Sequence, residues 1–167
     1  NLFEFFHFRI QFFRVQFLYP FKIFKFRTMK VNADRSGKLT VGMKDARITK
    51  IGYFLRKFKL DEFPQFLNVL TGEMSIVGPR PEVKEYVDLY TDSQREILNV
   101  KPGITDVASL EYFKENELLG QSDNPQKTYI EEIMPAKIEL NKSYLKQPTL
   151  TSDIRIIWKT FLRILGI

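Results

Sequence analysis

The chain has no cysteine and a single histidine, His7, in 167 residues. Without cysteine there is no disulfide, no thiolate nucleophile and no zinc–cysteine site. With one histidine there is no histidine-based triad or metal cluster, so acid–base work falls to carboxylates. Long apolar runs are missing too. No stretch of 18 apolar residues occurs, which argues against a spanning helix, and no apolar core is followed by a small-residue cleavage site, so no signal peptide is readable. There is no internal repeat, and no biased tract beyond a Phe-rich start. Ten of the 16 phenylalanines lie in residues 1–26, interrupted by Glu4, His7, Arg9, Arg14, Lys22 and Lys25. The length suits one domain with a real core.

What the chain does contain is concentrated between Leu55 and Pro81. Two adjacent carboxylates, Asp61 and Glu62, open a segment in which Leu60, Phe63, Leu67 and Leu70 recur at helical spacing until Gly72. Proline is tolerated only in the first turn of a helix, so Pro64 predicts that Asp61 and Glu62 are the N-cap and first helical residue. A carboxylate there is stabilised by about 0.3–1 kcal/mol and is available as nucleophile or metal ligand. Simple helix capping accounts for the same pair. Downstream, Gly78-Pro79-Arg80-Pro81 fixes one arginine between two prolines. That suits bidentate capture of a phosphate or carboxylate, although an ordinary turn with an exposed arginine has the same sequence.

These residues fall within a set of runs that closely resembles a known family. The runs are Phe24-Lys25-Phe26-Arg27-Thr28-Met29, Leu55-Arg56, Leu60-Asp61-Glu62-Phe63-Pro64-Gln65, Leu67-Asn68-Val69-Leu70, Gly72-Glu73-Met74-Ser75, Val77-Gly78-Pro79-Arg80-Pro81-Glu82 and Lys101-Pro102-Gly103-Ile104-Thr105. Together they resemble the bacterial sugar transferases, the monotopic polyprenyl-phosphate phosphoglycosyl transferases, from about Phe21 to the C-terminus. The resemblance implies transfer of a sugar-1-phosphate from a UDP-sugar to undecaprenyl phosphate at the cytoplasmic face of the bacterial plasma membrane, with Mg²⁺. It implies Asp61 as the nucleophile that forms a covalent phosphosugar with release of UMP, and Glu62 as its acid–base partner. Both are the candidate metal ligands. Arg80 is then a diphosphate clamp, and Arg27 and Arg56 neutralise phosphate charge. Pro79, Thr105 and Asp106 are candidate nucleotide or sugar contacts; relatives often carry glycine after the threonine, so Asp106 marks a variant that could report on donor choice.

Charge agrees with anionic partners. Residues 1–60 carry 14 Lys/Arg against 3 Asp/Glu and residues 61–167 carry 12 against 17, so the net +6 divides into +11 and −5. The basic half surrounds the proposed phosphate site and would attract UDP-sugars, polyprenyl phosphate and an anionic membrane surface alike. A solvated basic face would have the same composition, and no nucleic-acid motif is present.

The expected architecture is one α+β unit, mainly helical, with a small β-hairpin or sheet and amphipathic membrane-interface helices. Residues 21–150 form the expected catalytic domain and 151–167 an amphipathic C-terminal helix. Residues 1–20 are a divergent Phe-rich segment in which the family's re-entrant membrane helix is expected to be missing or altered. Phe12-Phe13-Arg14 resembles the start of the family's first hairpin. Residues 21–30 read as a strand, and 32–45 as a polar loop suited to covering a nucleotide. Residues 82–90 and 93–100 read as short helices, and Lys101-Pro102-Gly103 places Ile104-Thr105-Asp106 in a fixed turn. Glu131-Glu132 reads as a solvated helix face. In the C-terminal helix, Ser152-Asp153 is the expected cap. Ile154, Ile157, Trp158, Phe161, Leu162, Ile164 and Leu165 oppose Arg155, Lys159 and Arg163, a pattern that suits either the headgroup layer or docking on the core. A truncated, catalytically silent family member that binds nucleotide-sugar or assists assembly is the alternative to an active enzyme.

Overall fold

The computed structural model describes the backbone of residues 11–16, 20–33 and 45–167. The expected nucleotide-covering loop falls mostly outside the described residues. Two short strands, β1 (Gln11–Gln16) and β2 (Pro20–Ile23), pair antiparallel, as the hairpin expectation requires. The strand expected over residues 21–30 stops at Ile23 because its later N–H groups are spent elsewhere. Phe24 donates to the Asn68 side chain and Phe26 donates to the carbonyl of Asp61, each at 3.0 Å. The chain from 24 to 28 is therefore a strap tied to the Asp61 turn.

Helix α1 (Lys50–Lys57) follows, capped by Thr49, whose hydroxyl accepts from the Gly52 N–H. Helix α2 (Gln65–Leu70) is shorter than the sequence predicts. Asp61 and Glu62 lie before it, in a separate 3₁₀ turn over Leu60–Glu62, and Pro64 itself is the N-cap. The cause is local. Pro64 has no N–H to donate back to Leu60, so the chain closes with tighter bonds, Glu62 N–H to Lys59 C=O and Phe63 N–H to Leu60 C=O. Helix α2 is also inverted with respect to its pattern. Gln65 and Asn68 are buried, whereas Phe63, Phe66, Leu67 and Leu70 are exposed, Leu70 by 82%. Asn68 is satisfied inside: its side chain accepts from Phe24 N–H and donates to Lys22 C=O and the Glu73 carboxylate.

Strand β3 (Ser75–Val77) leads into the arginine loop, and β4 (Gly103–Thr105) pairs with it in parallel, Ser75 opposite Gly103 and Val77 opposite Thr105. The turn expected at 104–106 is thus a strand followed by a helix cap. Between the strands run α3 (Lys84–Val87), α4 (Asp92–Arg95) and a 3₁₀ turn at Glu96–Asn99, matching the two short helices expected there. After β4 come α5 (Val107–Glu111), α6 (Glu115–Gly120), α7 (Pro125–Thr128), a π-helical turn (Tyr129–Ile133) and α8 (Met134–Leu145). Glu131 and Glu132 are exposed there, as expected. The core lies between α3, the 96–99 turn and these later helices, with Val87, Ile97, Leu119, Ile133, Met134 and Ile138 buried together. The architecture is α+β and mainly helical, as the sequence predicts.

The C-terminal helix α9 (Leu150–Leu165) is capped by Thr149 in a capping box with Ser152, three residues earlier than the Ser152-Asp153 cap expected. One side of it docks on the core and the other is uncovered. Ile156 is buried and the Thr160 hydroxyl bonds that of Thr105 at 2.7 Å, while Ile154, Trp158 and Phe161 on the rest of its surface are exposed. No helix among the described residues is long and apolar enough to cross a membrane.

Strands β3 and β4 meet at two glycines. A Cβ on Gly103 would lie 2.3 Å from both the backbone nitrogen and oxygen of Gly78, a contact that neither chain can relieve without moving. Gly103→Ala is therefore expected to cost about 1–3 kcal/mol by overpacking, seen as a fall of several degrees in the melting temperature. Arg80 follows the end of β3 by three residues, so the same shift should displace it.

Candidate active site

The 3₁₀ turn at 60–62 forms one wall of an open cleft of about 370 Å³. Lys59, left-handed at φ 54°, turns the chain out of α1 so that Asp61 points inward, 2% exposed. Five cations, Lys25, Arg56, Lys57, Lys59 and Lys114, line the cleft against Asp61, Glu62 and Glu117, and Tyr53 and Phe113 supply aromatic surface.

Lys25, carried by the strap, reaches both acids: its ammonium is 3.0 Å from Asp61 Oδ2 and 3.4 Å from Glu62 Oε1. On the other side Arg80 donates to Glu62 Oε1 at 2.7 Å. Burial alone would raise the Glu62 carboxyl, but Arg80, Lys25 and Lys59 together outweigh it and hold the group well below the usual carboxylate range. Glu62 is therefore ionised at neutral pH. Its geometry is that of a strut between two cations. The source of that ionisation differs from expectation, since neighbouring side-chain cations replace the helix terminus.

Arg56 is held by the strap, its Nε donating to the Thr28 hydroxyl at 2.9 Å, and it lines the cleft as expected. Arg80 stands behind Glu62 and, unlike the clamp expected from the sequence, does not itself line the cleft. Its Nη1 donates to the Ile104 carbonyl, and its backbone N–H donates to Asp106 Oδ2 at 3.2 Å. Arg27 does not line the cleft, and its buried Nε has no partner among the described residues.

The donor contacts expected of Pro79, Thr105 and Asp106 do not match their placement, because all three are buried and none lines the cleft. Thr105 is spent on Thr160. Asp106 caps α5 through Ser109 N–H at 2.6 Å and also accepts from Asn141 at 2.7 Å. A polar side chain already saturated by protein donors is a support for the site. Sequence reading missed Lys25 as a site residue, although it sits in the Phe24–Met29 run, and Asn141, for which no local signal exists.

The cleft suits an anionic ligand, and its carboxylates suit magnesium. Among the described residues no three acidic or histidine side chains gather around one point. Magnesium asks for less, commonly one or two carboxylates with substrate phosphates completing the shell, and Asp61 and Glu62 fit that requirement.

Known proteins with similar sequences include the UDP-glucose:undecaprenyl-phosphate glucose-1-phosphate transferase of Escherichia coli (strain K12), 37% identical over 144 residues, covering 84% of this chain and 29% of the relative. The UDP-N-acetylgalactosamine-undecaprenyl-phosphate N-acetylgalactosaminephosphotransferase of Aeromonas hydrophila is 36% identical over 151 residues, covering 87% and 32%. The uncharacterized sugar transferase EpsL of Bacillus subtilis (strain 168) is 47% identical over 91 residues, covering 54% and 44%. The chain thus spans 29–44% of the length of these relatives. The sequence model of the bacterial sugar transferases matches residues 13–166, a span that contains the whole acid–cation cluster, and the chain belongs to that family.

Proposed function

We propose that this protein transfers a sugar-1-phosphate from a UDP-sugar to undecaprenyl phosphate, through a covalent intermediate on Asp61. The observation that carries the reading is a buried carboxylate at the wall of a cleft in which cations outnumber acids, with an ion-paired lysine against it. An Asp61 oxygen forms a bond to the sugar-bearing phosphorus as the bond to the bridging oxygen breaks, releasing UMP. An oxygen of the lipid phosphate then bonds that phosphorus, the acyl-phosphate P–O bond to Asp61 breaks, and the sugar diphospholipid leaves. Attack by one anion on another needs fixed positive charge. Lys25 and Arg56 supply it at the cleft, and Arg80 supplies it from behind Glu62. Glu62 holds Lys25 and Arg80 in place. Asp61 and Glu62 would hold Mg²⁺ together with donor oxygens, and the ion would add charge neutralisation at the diphosphate. The test is UMP release by the protein in nanodiscs with undecaprenyl phosphate, Mg²⁺ and a panel of UDP-sugars. Lipid-dependent release supports the reading; failure with every donor removes it.

The same reading sets the protein against a membrane surface. Its support is the inverted α2, with Leu70 82% exposed and Phe63 just before it 64% exposed, and the uncovered apolar surface of α9 with Trp158 59% exposed. An amphipathic surface of this kind inserts into the headgroup layer, and nearby lysines add attraction to anionic lipid. Binding to anionic vesicles is expected to shift the emission of Trp158, the single tryptophan, to shorter wavelength. Phe63→Glu with Leu70→Glu should weaken vesicle binding by at least about tenfold. Unchanged partitioning of that variant would remove α2 from the membrane face.

A further inference from the structure

We propose that Asp106 and Asn141 are positioning residues for Arg80, forming a buried relay from α8 to the guanidinium that braces Glu62 at the cleft wall. The inference rests on the reading of Arg80 given above. Both ends of Arg80 are tied to one short segment, its Nη1 to the Ile104 carbonyl and its backbone N–H to Asp106 Oδ2. That segment is fixed in turn by Asn141, whose Nδ2 donates to the same Oδ2 at 2.7 Å.

The two oxygens of Asp106 divide the labour. Oδ1 caps α5 through Ser109 N–H, and Oδ2 receives Arg80 and Asn141. Helix capping therefore explains only half of the side chain. The negative charge of Asp106 also adds to the pull of Glu62 on the Arg80 guanidinium. Asn141 is informative for what it leaves undone. It is 4% exposed, and its Oδ1 has no partner among the described residues, an arrangement that costs stability in a protein interior. Turning the amide over would set its oxygen against the Asp106 carboxylate, so Nδ2 is the group that must face it. A leucine would fill much the same space without an orphan acceptor. What the asparagine adds is the bond to Asp106.

The experiment compares Asn141→Leu and Asp106→Asn with the unmodified protein. UDP binding is measured by titration calorimetry, and UMP release is measured with the best donor of the panel. Asn141→Leu removes the donor while leaving the α5 cap; Asp106→Asn keeps an oxygen for the cap and offers the wrong group to Arg80. Each should lower kcat/KM on the order of tenfold, the scale expected when a charged contact is displaced by a fraction of an ångström to 1 Å. Both substitutions are repeated in an Arg80→Lys background. If Asn141 and Asp106 act through Arg80, their effects on UDP affinity and kcat/KM should largely vanish there. Effects that persist at full size in that background overturn the proposal, as do folded variants with wild-type kinetics and only a lowered melting temperature; in both cases the reading of Arg80 as a brace stands. Arg80→Lys with unchanged UDP binding and turnover would instead remove the brace, and the relay with it.

Discussion

Under the proposed mechanism, Asp61→Asn is expected to abolish sugar-phosphate transfer, lowering UMP release by at least about 10³-fold, because it removes the covalent nucleophile that mechanism requires. The substitution changes little in volume and keeps one oxygen. Its fold should survive, since the backbone role of residue 61, accepting from Phe26 N–H, does not involve the side chain. A chase with labelled donor separates chemistry from binding. Label should remain on the unmodified protein when the lipid acceptor is left out, and none should remain on Asp61→Asn. Label on both would place the covalent bond elsewhere. Donor-dependent label on the unmodified protein without lipid-dependent turnover would mean that the first half of the reaction is intact and acceptor presentation is not.

Arg80→Ala should have the second-largest effect, and it should appear in both activity and stability. On the proposed mechanism, loss of fixed positive charge behind the acid pair should lower kcat by up to roughly 10²–10³-fold, the upper end being the scale for removing a direct donor. The stability effect comes from Glu62, whose side chain is 12% exposed and would keep only lysines as partners. Breaking one side of a buried pair commonly costs about 3–5 kcal/mol; with Lys25 retained and Arg80 partly open to solvent, the lower end is expected. The pH dependence has a definite sign. The folded-state pKa of Glu62 is depressed, so its contribution is fully present above the unfolded value near 4.3 and is lost as pH falls through the lower, folded one. The difference in melting temperature between the unmodified protein and Arg80→Ala should therefore be largest at neutral pH and shrink below about pH 4. A difference that stays constant down to pH 3 would show that Glu62 is not its origin.

The sequence was most legible where a residue type has one dominant physical use. The Pro–Arg–Pro loop, the Asp–Glu pair and four cations of the basic N-terminal half, Lys25, Arg56, Lys57 and Lys59, converge at the cleft wall or just behind it. It was least legible where burial reverses a pattern. The spacing of Leu60, Phe63, Leu67 and Leu70 reads as a core-facing stripe, yet the structure buries Gln65 and Asn68 and leaves that stripe outside. Periodicity reports that a helix has two unlike faces, and a membrane-facing helix has the same periodicity as a core-facing one. Lys25 was overlooked because its significance depends on the strap bending back to the 3₁₀ turn, 37 residues away from Glu62. Asp106 was given an outward role because a carboxylate beside a motif suggests a ligand, and nothing nearby in sequence announces Asn141.

The parallel pairing of β3 with β4 also sets an order of events during synthesis. An antiparallel hairpin can close as soon as its second strand is made, whereas this pair must await its whole crossover. Asp106 follows Arg80 by 26 residues, and Asn141 follows Asp106 by another 35. At typical ribosomal speeds that separation is about 3–12 s. A growing chain would thus expose its acidic turn and basic strap well before the arginine behind them is locked, and the acid–cation cluster is complete only once α8 has been made.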